Sequence, residues 1–231
     1  MMKYTIDGVP LTVGKRDDVI RECIALIGVG GKVFTVNSLM LERAHRNPEF
    51  SEILSLADIN TVDGVGVRAA LRILGERTDT LAGVELGEII AERGNPSIAL
   101  IGGRDGVAEA AFSYLKEKNP RLRRSFVLSG FGYSDEYYLE KLRRHRPKLC
   151  YVCLGSPRQE SFVTRAALAS PSTLFFALGG SLDIYSGEKP RSPYFMRALG
   201  LEWLYRMIKE PKRRENLSTL ISFSIRSLMR K

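Results

Sequence analysis

The feature that most constrains this chain is a recurring unit. A short, almost uninterrupted apolar run ends in glycine or a polar residue, and a segment with helical spacing follows it. The runs are KVFTVN, ADINTVDG, SIALIGG, SFVLSG, KLCYVCLG and TLFFALGG. Runs of this kind, which do not alternate with polar residues, belong to strands covered on both faces. Their alternation with helices makes the sheet mostly parallel. The spacing predicts helices over about 17–26, 38–56, 65–74, 84–93, 106–118, 134–144 and 158–168, with a hairpin over 3–13 turning at Asp7-Gly8. The pattern stops near Lys189, beyond which the chain is basic and helical. At 231 residues the chain divides into an α/β domain over 1–190 and a helical appendage over 191–231.

Composition narrows the class. The chain is 44% hydrophobic and 26% charged, ordinary values for a soluble globular protein. No apolar run approaches the roughly 18 residues of a membrane span. The first residues lack the apolar core of a signal peptide, so the expectation is a cytosolic protein. Three cysteines do not make a disulfide framework. Cys150 and Cys153 form a C-x-x-C, but within a strand residues three apart face opposite ways. They read as structural cysteines rather than a metal or redox site. The formal net charge is +9, and residues 204–231 hold eight basic residues against two acids, so most of that charge lies in the tail. Such a tail points to an anionic partner, unless it is simply a solvated charged helix.

The strand ends carry the chemistry. In open α/β sheets, ligands bind beyond the carboxyl ends of the strands. Those ends supply Thr35 and Asn37, then Asp63, then Gly102 and Gly103, then Gly155 and Gln159, then Gly180. Glycines there let backbone N–H groups and helix N-termini approach phosphates, although any single one also serves as a turn. Asp63 ends an apolar strand directly before a glycine and a helix. It can act as a general base on a hydroxyl, or merely cap the helix; position alone leaves both open. The sequence has no D-x-D for a metal-bound diphosphate, and its two histidines, His45 and His145, read as exposed.

Taken together, TVNSLML, DGVGV, IGGRDGVAEAA, LGSPRQE, LGGSLDIYSGEKPRSP and LGLEWLYRMIKEPKR resemble the WecG/TagA/CpsF family of glycosyltransferases, glycosyltransferase family 26, from about Ile6 to Arg213. The resemblance implies a Rossmann-like fold and inverting transfer from a UDP-sugar donor to a sugar on a polyprenyl pyrophosphate. It calls for no metal and no cofactor. It implies attachment of the C-terminal helices to the inner face of the cell membrane. The family's base maps onto Asp63. Its pocket residues map onto Thr35, Asn37 and Gln159, and its appendage arginines onto Arg206 and Arg213, which would face the acceptor diphosphate. Gly102, Gly103, Gly155 and Gly180 would line the nucleotide pocket. The chain departs from the family at Thr80, where an arginine is common, at Glu85, where an aspartate is common, and at Asn216, another arginine position. Arg77 is a candidate replacement for the first.

In the tail, Leu217, Leu220, Ile221, Ile225, Leu228 and Met229 fall on one helical face beside basic residues, the pattern of an interfacial helix on an anionic membrane surface. The alternative is that this stripe packs on the protein's own core. Two rival functions remain at this stage. One is a non-catalytic nucleotide-binding module in which Asp63 only caps. The other is a nucleic-acid binder, which the absence of interleaved aromatics and of a reading helix disfavours. The sequence leaves the oligomeric state open.

Overall fold

The structure is a computed structural model and describes residues 2–94, 96–198, 202–209 and 217–229. It opens with β1 (Met2–Ile6) and β2 (Val9–Val13), paired antiparallel with Ile6 opposite Val9. Asp7 and Gly8 between them both have positive φ, the geometry of a two-residue hairpin turn. There follow α1 (Arg16–Ala25), β3 (Gly31–Val36), α2 (Ser38–Arg46), α3 (Pro48–Ser55), β4 (Ile59–Val62), α4 (Val65–Ile73), α5 (Gly83–Gly94), β5 (Ser97–Gly102), α6 (Val107–Lys118) and β6 (Arg123–Leu128). Next come α7 (Asp135–His145), β7 (Leu149–Cys153), α8 (Arg158–Ala169), β8 (Leu174–Ala177) and α9 (Ser181–Tyr185). The appendage contributes α10 (Tyr194–Ala198), α11 (Glu202–Lys209) and α12 (Leu217–Leu228).

The single helix expected over 38–56 is two helices. Asn47 closes α2 and caps α3, its side chain accepting from Phe50 N–H. The cause is Pro48, which disfavours helical backbone at the residue before it and fits the first position of a new helix.

β3 to β8 form one parallel sheet in the order β4-β3-β8-β7-β5-β6, a Rossmann-like α/β architecture. Both faces are buried, which is why the strand sequences are continuously apolar. On β7, Cys150 and Val152 join the core beneath α7 and α8, while Leu149, Tyr151 and Cys153 join the core beneath α5 and α6. The two cysteines therefore face opposite ways, and burial pushes both thiols up, Cys153 to about 12. The connection leaving β5 runs to β6 on one side, and that leaving β7 runs to β8 on the other. The sheet thus has a topological switch point between β5 and β7, where such folds open a crevice at the strand ends.

The appendage is not a loose tail. α12 packs on α2 and α4, and Phe223 is 2% exposed within the main core. Beside it, Arg226 donates to Asp7 Oδ2 at 2.5 Å and to Glu42 Oε2 at 2.6 Å. Ser222 and Arg46 also donate to Glu42 Oε1. Glu42 is almost fully buried. Burial alone would raise its carboxyl, but the hydrogen bonds from Arg226, Ser222 and Arg46 hold it below the ordinary range. A depressed carboxyl contributes stability above its unfolded pKa and loses it as pH falls through the folded one. The grip on α12 should therefore loosen only below the normal carboxylate range. Arg226→Met removes one partner of this buried network and leaves two carboxylates under-compensated. We expect a loss of about 3 kcal/mol in a urea titration at neutral pH, shrinking on acidification. An unchanged midpoint would show that the network does not hold the helix.

Candidate active site

The site is built at the carboxyl ends of β3 and β4. Asp63 N–H donates to Val36 O at 2.9 Å, which sets Asp63 beside Asn37 where the two strands end. α4 starts at Val65 with Gly64 as its N-cap, so Asp63 stands one residue before the cap position. Asn37 caps α2, its Oδ1 accepting from Leu39 and Met40 N–H at 3.0 and 3.1 Å. A Cβ on Gly66 would sit 2.3 Å from Ser38 Oγ, so the first turns of α2 and α4 are in close contact and a larger residue at 66 would displace the Ser38 hydroxyl. The positive ends of two helices then converge beside Asp63.

Asp63, Asn37 and Ser38 line a cleft of about 850 Å³. Its polar wall continues through Thr80, Glu85 and Arg16, and Arg191 and Tyr194 contribute from the chain before α10 and its first turn. The opposite wall is apolar: Leu217, Leu220, Ile221, Ile225 and Leu228 of α12, with Met207 of α11. Of the stripe picked out in the sequence, all but Met229 thus line the cleft rather than the core; Ile225 is 52% exposed. α12 uses its other face, with Phe223, Arg226 and Ser227, to pack.

Among the expected site residues, the cleft brings Asp63 and Asn37 together. Thr35 is buried one layer below, its hydroxyl donating to Ala177 O at 3.3 Å and lying under Gly83. Gln159 is also buried. Its Oε1 accepts from Gly179 N–H at 3.0 Å and its Nε2 donates to Glu160 Oε1 at 2.7 Å. Burial pushes the Glu160 carboxyl up. Thr35 and Gln159 therefore shape the end of β8 and do not line the cleft. Gly102, Gly103 and Gly155 lie farther along the same sheet edge, at the ends of β5 and β7 where the switch point falls, and Gly180 caps α9 after β8. Gly102 has φ 144° and would drive a Cβ to 2.4 Å from Cys153 O, so the two strands can close up there only with glycine. Arg206 falls within α11, and Arg213 and Asn216 lie outside the described residues.

Arg77 is exposed and does not line the cleft. Arg16 does, next to Thr80, and it pairs with Glu85 Oε1 at 2.8 Å. Arg191 pairs with Glu88 Oε2 at 2.9 Å, and Glu88 is held from behind by Tyr114 Oη at 2.6 Å. The sequence signal for Arg191 is its place in GEKPRSP; Arg16 has none. Among the described residues, no group of three or more His, Cys, Asp or Glu side chains is arranged to hold a metal ion, and no helix is long and apolar enough to cross a membrane.

The sequence profile of the glycosyl transferase WecG/TagA/CpsF family matches residues 4–231. An N-acetylglucosaminyldiphosphoundecaprenol N-acetyl-beta-D-mannosaminyltransferase of Staphylococcus aureus strain MW2 is 27% identical over 195 residues, 83% of this chain and 77% of that protein. The Bacillus subtilis strain 168 protein of the same description is 27% identical over 201 residues, 85% of this chain and 78% of its own length. With the parallel sheet, the acid at the end of β4 and a match that runs through the appendage, this chain belongs to the WecG/TagA/CpsF family and is a glycosyltransferase.

Proposed function

We propose that the protein transfers a hexose of the N-acetylmannosamine class from a UDP-sugar, with inversion, to a sugar carried on a polyprenyl diphosphate in bacterial cell-surface polysaccharide synthesis. The observation that carries this reading is the cleft itself. A carboxylate between two helix N-termini stands across from an apolar wall, which suits an acceptor that is a sugar at one end and a lipid at the other. The relatives, whose descriptions name such an acceptor and an N-acetylmannosaminyl transfer, support the same substrate class.

In this mechanism the acceptor hydroxyl attacks the anomeric carbon of the donor while its proton passes to the Asp63 carboxylate. The bond from the anomeric carbon to the UDP oxygen breaks, and the electron pair leaves with the diphosphate. Backbone N–H groups near Gly102, Gly103 and Gly155 at the switch point, with Gly180 beside them, receive that charge. Asn37 orients the sugars directly. Thr35 and Gln159 act through the loops they hold. Arg206 and Arg213 are proposed to meet the acceptor diphosphate. The unit over 1–190 carries the chemistry, and the appendage over 191–231 holds it peripherally on the anionic inner face of the cell membrane. Exposed Tyr194, Phe195, Leu228 and Met229 and the basic tail support that placement.

The test is a panel of UDP-hexoses assayed with a lipid-diphosphate-linked N-acetylglucosamine. Transfer of the N-acetylmannosamine donor well above the others is the expected result; transfer from none of the panel would overturn it. The same assay with EDTA should keep its rate within about twofold, because leaving-group charge is met by amides and cations. A rate lost to EDTA and restored by magnesium or manganese would contradict the metal-free mechanism.

A further inference from the structure

The Arg16–Glu85 pair has no part in the mechanism above, yet it stands on the wall of the same cleft as Asp63. Its two members come from distant parts of the chain and are held there by a set of short-range ties. Asp79 N–H donates to Gly14 O at 3.1 Å, Gly14 N–H donates to Thr78 Oγ1 at 3.1 Å, and Arg16 N–H donates to Asp79 Oδ2 at 2.9 Å. These bonds lace the start of α1 to the segment before α5, so both side chains reach the cleft from fixed backbone. The pair is 2.8 Å apart, and each side chain keeps more than a third of its surface open, 35% for Arg16 and 37% for Glu85.

A bridge this exposed adds little to folding, on the order of 0–1 kcal/mol. Its chemistry is better matched to a ligand. A guanidinium carries five N–H donors, and only part of that set can face Glu85. A carboxylate keeps further acceptor positions. Side by side they present donors and acceptors with no net charge. That combination recognises the hydroxyl and amide groups of a neutral sugar, and it offers a diphosphate little attraction. Two sugars meet at Asp63 in the mechanism above, and of the two it is the acceptor's that carries a lipid; the apolar wall of α12 lines this same cleft, which favours the acceptor's sugar as the one beside the pair.

We infer that Arg16 and Glu85 form a recognition pair for the acceptor sugar and determine its specificity. This rests on the acceptor reading given under Proposed function. The test uses the full-length chain with Asp63→Asn, so that binding is measured without turnover. Three probes are titrated calorimetrically: N-acetylglucosamine diphosphate carrying a short alkyl chain, the same alkyl diphosphate without the sugar, and UDP. Arg16→Gln and Glu85→Gln should each weaken the sugar-bearing probe by about 10-fold or more. Binding of the other two probes and the melting temperature should hardly change. The charge-exchanged double variant, Arg16→Glu with Glu85→Arg, would restore a bridge that is merely structural but should not restore sugar binding. The inference is overturned by an unchanged affinity for the sugar-bearing probe, by an equal loss for the alkyl diphosphate, or by rescue in the exchanged variant. If the parent chain binds UDP but not the sugar-bearing probe, the acceptor reading itself fails and takes this one with it; that outcome is distinct, because it is seen before any change at Arg16 or Glu85.

Discussion

Asp63→Asn lowers turnover by about 10²-fold or more and leaves the melting temperature within a degree or two. Asparagine has nearly the same shape as aspartate, so the junction of β4 and α4 should keep its packing. It cannot take up a proton at neutral pH, and general-base assistance of this kind contributes roughly 10²–10⁴-fold. The helix start does not depend on the carboxylate for its cap position, which Gly64 occupies. Steady-state rates with a lipid-diphosphate acceptor, alongside thermal melts, measure both quantities. UDP affinity should be unchanged, since the switch point lies at β5 and β7. Undiminished turnover would remove Asp63 from the chemistry and leave it a spectator acid beside the start of α4.

Removing residues 199–231 should reduce transfer to a lipid-linked acceptor to near background and abolish most binding to anionic vesicles. The deletion takes away one whole wall of the cleft, the arginines proposed for the acceptor diphosphate and most of the net positive charge. Because Phe223 and Arg226 belong to the packed core, it should also lower stability, unlike a cut through a free tail. Nucleotide binding should survive, for the glycines proposed to carry it lie on the sheet edge. A milder variant separates wall from anchor. Ile221, Ile225 and Leu228 are each at least half exposed and line the cleft, so replacing all three with serine should cost little stability. KM for a long-chain acceptor should rise by about 10-fold or more, reflecting lost apolar contact, while a short water-soluble acceptor is used as before. An equal loss on both acceptors, or a collapsed melting temperature, would show that α12 serves the fold and not the lipid.

The sequence by itself determined the order of strands and helices, the parallel sheet and the edge on which chemistry is placed. Strands buried on both faces must be apolar at every position, and that signal survives without coordinates, as in KLCYVCLG. Asp63 was legible for the same reason: a lone acid after an apolar strand is conspicuous. Pro48 was legible too, yet the expected helix ran through it, because helical spacing continues on both sides while the backbone before a proline turns extended. What only the tertiary structure decided depends on contacts between distant segments. Arg16 reaches the cleft because hydrogen bonds tie residues 14–16 to residues 78–79, and no local pattern encodes that distance. Arg77, nearer in sequence to the position it was expected to fill, lies outside the cleft. Thr35 and Gln159 are buried away from the cleft lining, Thr35 by the alternation of side chains along β3 and Gln159 by turning from the first turn of α8 onto Gly179 N–H and Glu160. The apolar stripe of α12 could have faced core, lipid or solvent. Its orientation over the Asp63 cleft was settled by the helix's opposite face, where burial of Phe223 and the pairing of Arg226 with Glu42 and Asp7 leave the stripe only one way to point.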